Sequence, residues 1–145
     1  MTAALPKIQQ PARLSPVAKL ALVLEMLSIY ARARWLLWRG DLPSTVEALR
    51  APRNRGAVPG SPGRWRAALR LARAVCRTLP LLPTESRCLM RSLVLLGLLS
   101  RRGIDAVLVI GVKQGPDFAA HAWVESEGQL LLASQERIFS RVATL

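Results

Sequence analysis

Apolar positions along the first third of the chain follow a helical period. Val17, Leu20, Leu24, Leu27, Ala31, Trp35 and Trp38 fall on one face of a helix expected over residues 16–38. Ser15-Pro16 supplies an N-cap with Pro at the first helical position, and Gly40 stops the run. That stripe is the face expected to enter the core, with Trp35 and Trp38 either inside it or at the edge of a partner groove. A short second helix is expected from Pro43-Ser44-Thr45 through Leu49. Residues 50–63, RAPRNRGAVPGSPG, hold three Pro, three Gly and three Arg and read as a basic loop. A third helix follows over residues 64–79 with two stripes. Trp65, Leu69, Ala72, Cys76 and Leu79 are apolar, which makes Cys76 a buried filler; Arg66, Arg70, Arg73 and Arg77 form the other. That second stripe is either a solvated face or a contact surface for an acidic ligand.

Pro80 and Pro83 break the chain before Glu85-Ser86-Arg87-Cys88 leads into LMRSLVLLGLLSRRG. This segment is apolar on most sides, as a central buried helix is, and Arg101-Arg102-Gly103 closes it. The pattern then changes to runs rich in Val, Leu and Ile. Strands are expected over residues 106–112, 118–125 and 129–133, and a last short helix near residues 136–142. The turn at Ser126-Glu127-Gly128 would pair Glu125 with Gln129 and set His121 opposite Ala133. Helices first and an antiparallel meander afterwards argue an α+β fold. The length suits a single domain over residues 1–145, with a helical part over about 14–79 and a core over about 80–145.

Composition and charge narrow the function. Hydrophobic residues make up 51%, enough for a real core. The 21 Lys plus Arg against 9 Asp plus Glu give +12, a surface that attracts polyanions. Aromatics are only 5% and no RNA-binding motif is present, which argues against nucleic acid as the partner. The N-terminus lacks the apolar stretch of a signal peptide. The run over residues 17–31 is broken by Lys19 and Glu25 and is too short and charged to span a bilayer. A cytoplasmic protein with reduced thiols at Cys76 and Cys88 is the expectation.

His121, the one histidine in the chain, lies in FAAHAWVE. Alone on an apolar strand such a residue is ordinarily a satisfied core residue. Cys88 changes the picture. It starts the buried helix, where unbonded amides and the helix dipole favour negative charge, as do Arg87 and Arg91. A thiolate there is a nucleophile, and the same amides, that of Cys88 first, can hold an oxyanion. A nucleophile needs a base, and His121 is the available imidazole. Ser92, one turn beyond Cys88, either bonds a backbone carbonyl or lines the site. Trp123 shares the His121 face and reads as packing. Two Cys and one His lack the close spacing of a zinc site, and this chemistry calls for no cofactor.

Cysteine on a helix start with histidine on a following strand is the arrangement of the papain-like and transglutaminase-like superfamily. CLMRSLVLLGLLSRRGIDAVLVIGV, a short gap and FAAHAWVE closely resemble the stand-alone protease half of the lasso-peptide B-type processing protein, over residues 80–132. The resemblance implies a transglutaminase-like core of a buried helix against the meander. It implies removal of the leader from a ribosomally made precursor peptide by Cys88 and His121. It also implies two partners: a separate leader-recognition protein, and a lasso cyclase resembling asparagine synthetase. The family commonly supplies a downstream Asp to orient the His; here that position is Ala133. Ser134, next to it, is the first substitute, with Glu136, Asp117, a backbone carbonyl or water as others. Glu125 shares the face of His121 but lies roughly 13 Å away at strand rise. The rival reading takes the missing Asp as degraded catalysis, leaving a basic module in which Arg66, Arg70, Arg73 and Arg77 grip an acidic peptide or RNA.

Overall fold

A computed structural model describes residues 14–50, 62–81, 87–116, 118–132 and 139–145. Helix α1 (Pro16–Arg39) starts where Ser15 Oγ accepts from the Ala18 amide at 3.2 Å, and ends with the Gly40 amide on the Leu36 carbonyl. Helix α2 (Leu42–Arg50) is capped by Asp41, whose carboxylate accepts from the Ser44 amide at 2.9 Å; the start expected at Pro43 moves one residue earlier. Helix α3 is Pro62–Thr78, followed by a 3-10 turn at Leu79–Leu81. Helix α4 (Arg87–Arg101) is the hub: α1, α2 and α3 all pack on it, and its residues from Leu93 to Leu99 are buried.

The face α1 buries is not the stripe read from the sequence. Met26, Ile29 and Ala33 are at most 1% exposed, whereas Val17, Leu20, Leu24, Trp35 and Trp38 are 77, 60, 58, 50 and 80% exposed. The helix has two apolar faces, and fit to α4 selects between them. A Cβ on Gly97 of α4 would lie 2.8 Å from Ile29 Cγ2, so the missing side chain is what lets Ile29 seat. A similar rotation applies to α3: Ala68, Leu71, Ala72, Val75 and Leu79 are buried, and Cys76, expected inside, is exposed.

Strands β1 (Val107–Lys113), β2 (Ala119–Ser126), β3 (Gln129–Leu130) and β4 (Ser140–Thr144) form an antiparallel sheet in the order β3-β2-β1-β4. The fold is therefore α+β. The β2–β3 loop is two residues long. Glu127 and Gly128 have φ of 52° and 72°, the left-handed pair of a tight hairpin turn, and Ser126 pairs Gln129. Glu125 thus pairs Leu130 rather than Gln129, which shifts the expected register by one residue. β3 also ends at Leu130, short of the expected residue 133; Ala133 lies outside the described residues. The last element is a strand, not the helix expected over 136–142, because β1 has a second open edge. Val109 pairs Thr144 there and Val112 pairs Ser140. Arg50 fixes that edge from α2, donating to the carbonyls of Ala106 at 3.0 Å and Leu145 at 2.8 Å. No helix among the described residues is long and apolar enough to cross a membrane.

Candidate active site

Cys88 is the second residue of α4 and half-buried, so its amide belongs to the helix's unbonded first turn. Arg66, Arg70, Arg73 and Arg77 lie elsewhere, exposed on the side of α3 away from its buried face. His121 is the third residue of β2, cross-strand from Gly111 of β1.

Hydrogen-bond directions relate the helix start to the strand. The Val124 carbonyl accepts from the Leu131 amide, so alternate residues Ala122 and Val124 turn their backbone groups away from β1. At Ala122 the paired residues of β3 have ended, and Ser92 Oγ donates to the Ala122 carbonyl at 3.1 Å. α4 thus takes over the strand edge where β3 stops. Ser92 is fully buried and one turn from Cys88, about 6 Å along the helix. The helix turn after Cys88 is therefore tied to the strand residue that follows His121. Of the two readings of Ser92, the carbonyl bond is the one observed.

The two faces of β2 do different jobs. Ala122 and Val124 join the core, and His121, Trp123 and Glu125 occupy the other face. There His121 lies between two aromatic rings, with Trp123 at 6.2 Å and an interplanar angle of 22°, and Phe139 at 5.4 Å and 33°. Gly111 creates the room: a Cβ on it would come within 2.7 Å of the Trp123 ring and 3.0 Å of Phe139 Cβ. Glu125 holds Trp123 in place, accepting from its Nε1 at 2.9 Å and from Arg141 at 2.7 Å. Gly111, Phe139 and Arg141 were not legible as site residues, because each acts through a side chain distant in sequence. Burial lowers the His121 pKa below its usual 6.5 by disfavouring the imidazolium. Among the described residues the ring has these aromatic contacts and no hydrogen bond. Ser134, Ala133, Glu136 and Asp117 lie outside the described residues.

A half-buried thiol at a helix N-terminus and a partly desolvated imidazole are the two groups that attack on a carbonyl and proton transfer to a leaving group require. Among the described residues no cluster of His, Cys, Asp or Glu could hold a metal ion. A separate cleft of about 300 Å³, lined by Arg50, Asp105, Glu125 and Glu127, opens toward the other end of β2 and contains neither thiol nor imidazole. No curated protein and no solved structure matches the chain. The family model described as transglutaminase-like superfamily matches residues 20–144, almost the whole of this helix-and-sheet unit, and the chain belongs to that superfamily.

Proposed function

We propose that the protein is a cysteine peptidase that removes the leader from a ribosomally made lasso-peptide precursor. The observation that carries this reading is the Ser92–Ala122 hydrogen bond, which ties the helix turn after Cys88 to the residue beside His121. Superfamily membership and the wording of residues 80–132 support the same reading.

On this reading Cys88 Sγ attacks the scissile carbonyl carbon while His121 takes the thiol proton. The carbonyl π pair moves to oxygen, and the first-turn amide of Cys88 stabilises that charge. Collapse of the intermediate breaks the C–N bond, and His121 returns the proton to the departing amine of the core peptide. Water, deprotonated by His121, then attacks the thioester, and the leader leaves as a carboxylic acid. The lasso cyclase, resembling asparagine synthetase, would use the new core N-terminus. Ser134 is the first candidate to orient the ring in place of an Asp at Ala133.

The test is cleavage of the precursor reconstituted with a leader-recognition protein. Cys88→Ala should abolish leader removal, and Cys76→Ala should retain it. Full activity of Cys88→Ala would sink the peptidase reading. The binding-module alternative draws on the exposed Arg66, Arg70, Arg73 and Arg77, which have no ion pair among the described residues. It predicts that Cys88 alkylates slowly, at a rate indifferent to His121.

A further inference from the structure

The outward face of α1 has no role in the peptidase reading. Seven apolar residues line it: Val17, Leu20, Leu24, Leu27, Ala31, Trp35 and Trp38, separated by 3, 4, 3, 4, 4 and 3 positions. All seven are exposed, and they face away from Met26, Ile29 and Ala33, which pack on α4. At about 100° per residue the seven fall within a band roughly 80° wide, and the helix runs for about 36 Å. From this seam we infer a docking site for a partner protein that offers an amphipathic helix with carboxylates flanking its apolar stripe.

Spacing identifies a helix as the occupant. A mean interval of 3.5 residues, held over Val17 to Trp38, is the repeat that keeps a seam facing a second helix. A helix lying in a lipid surface presents a broader apolar face. Here Arg34 borders the seam on one side, and Ser28, Arg32 and Arg39 on the other. Trp35 and Trp38 provide large anchors of the kind that dominate interfaces, and the Arg39 guanidinium lies 4.3 Å from the Trp35 ring centroid.

Charge identifies the partner's chemistry. Arg32 donates to the Ala48 carbonyl and Arg34 to the Tyr30 hydroxyl, so neither is matched to a carboxylate among the described residues. Glu25, the one acid in α1, is already bound by Arg101 and by Arg102 at 2.8 Å. A parallel second copy on this seam would set Arg32, Arg34 and Arg39 against their own kind, and in either orientation two chains of +12 each would have to meet. An acidic helix meets the same arginines with opposite charge. This inference is independent of whether Cys88 is a nucleophile.

The experiment uses the full chain and designed helical probe peptides of about three heptads, Leu at the seam positions. One peptide carries Glu at the flanking positions and its twin carries Lys. Binding is read by the tryptophan emission shift and by calorimetry. The Glu peptide should bind, and the Lys peptide should bind about tenfold or more weakly, the effect of several flanking charge pairs together. Leu20→Gln/Leu24→Gln should lose the Glu peptide at an unchanged melting temperature, since both positions are exposed. Arg34→Glu/Arg39→Glu should reverse the preference between peptides. Equal binding of the two peptides, or none, overturns the inference. So does a dimer of the chain alone in sedimentation, which assigns the seam to a second copy, or binding to phosphatidylglycerol vesicles without binding to the Glu peptide, which assigns it to lipid.

Discussion

On the proposed reading His121 is the general base, and its surroundings set its proton. The unfolded chain takes up a proton near pH 6.5 that the folded ring resists, because burial disfavours the charged form. The stability contributed by the neutral ring is therefore present above the unfolded value and is lost as pH falls through the lower folded value. Peptidase activity should follow the same proton, with an acidic limb in the pH profile of kcat/KM below 6.5. A limb centred above that value would contradict the assignment of His121 as base. Gly111 matters at the same scale. Gly111→Ala forces a Cβ into the Trp123 ring and should displace it, and His121 with it, so kcat should fall while Cys88 remains alkylatable. Cys76 alters how thiol chemistry is measured: it is exposed, so alkylation rates belong to Cys88 only in a Cys76→Ala background. In that background His121→Ala should slow alkylation near neutral pH, and an unchanged rate would separate the two residues.

Among the elements, α4 explains most. Its apolar character on most sides was legible in the sequence, and ten of its residues, Met90 and Ser92 through Ser100, are buried. Its partner face on α1 was not. Both stripes of α1 have helical period, and the fit to α4, the Gly97–Ile29 approach included, selects between them. Gly97→Ala should destabilise the protein by about 1–3 kcal/mol, the usual effect of overpacking a filled core. Chemical denaturation measures this, and Leu20→Ala on the exposed face should change little by comparison. Ser92→Ala leaves the buried Ala122 carbonyl without its donor, at about 1–3 kcal/mol. Because Ser92 also ties α4 to β2, turnover should fall by more than the stability loss implies, measured at a temperature where the variant is fully folded. The tight turn at Glu127-Gly128 shows why register was missed. A Gly-containing loop announced a hairpin, but the φ of the residue before Gly128 decided between two residues and three.

For the molecule as a whole, the question is how a core of this size finds one peptide. On the proposed reading a separate recognition protein that holds the leader would raise the local precursor concentration to about millimolar over a short span. Cleavage should be weak with precursor alone and appear when that protein is added; efficient cleavage by the isolated chain would mean that its own helices read the leader. Arg66, Arg70, Arg73 and Arg77 form an exposed stripe suited to acidic leader residues or to the recognition protein. Reversing two of these charges should raise KM, most at low salt, where screening is least. The same defect at high and low salt would remove electrostatics as the cause.

Residue order alone determined much of this protein. Runs of helical period, Pro-Gly breaks and Val-rich strands gave the α+β class. Cys88 at a helix start and His121 on a strand were identifiable because the chain offers two thiols and one imidazole, and only one thiol begins a helix. Tertiary structure decided what a one-dimensional pattern leaves degenerate. An apolar period says that a face can be buried, not which of two faces a neighbour will accept, and α1 and α3 turned on that choice. A short segment after residue 136 has helical spacing, yet Ser140–Thr144 became a strand because β1 offered an unpaired edge. The wall around His121 is the clearest case. Gly111, Trp123, Glu125, Phe139 and Arg141 come from three neighbouring stretches of chain, and only sheet pairing brings them onto one face.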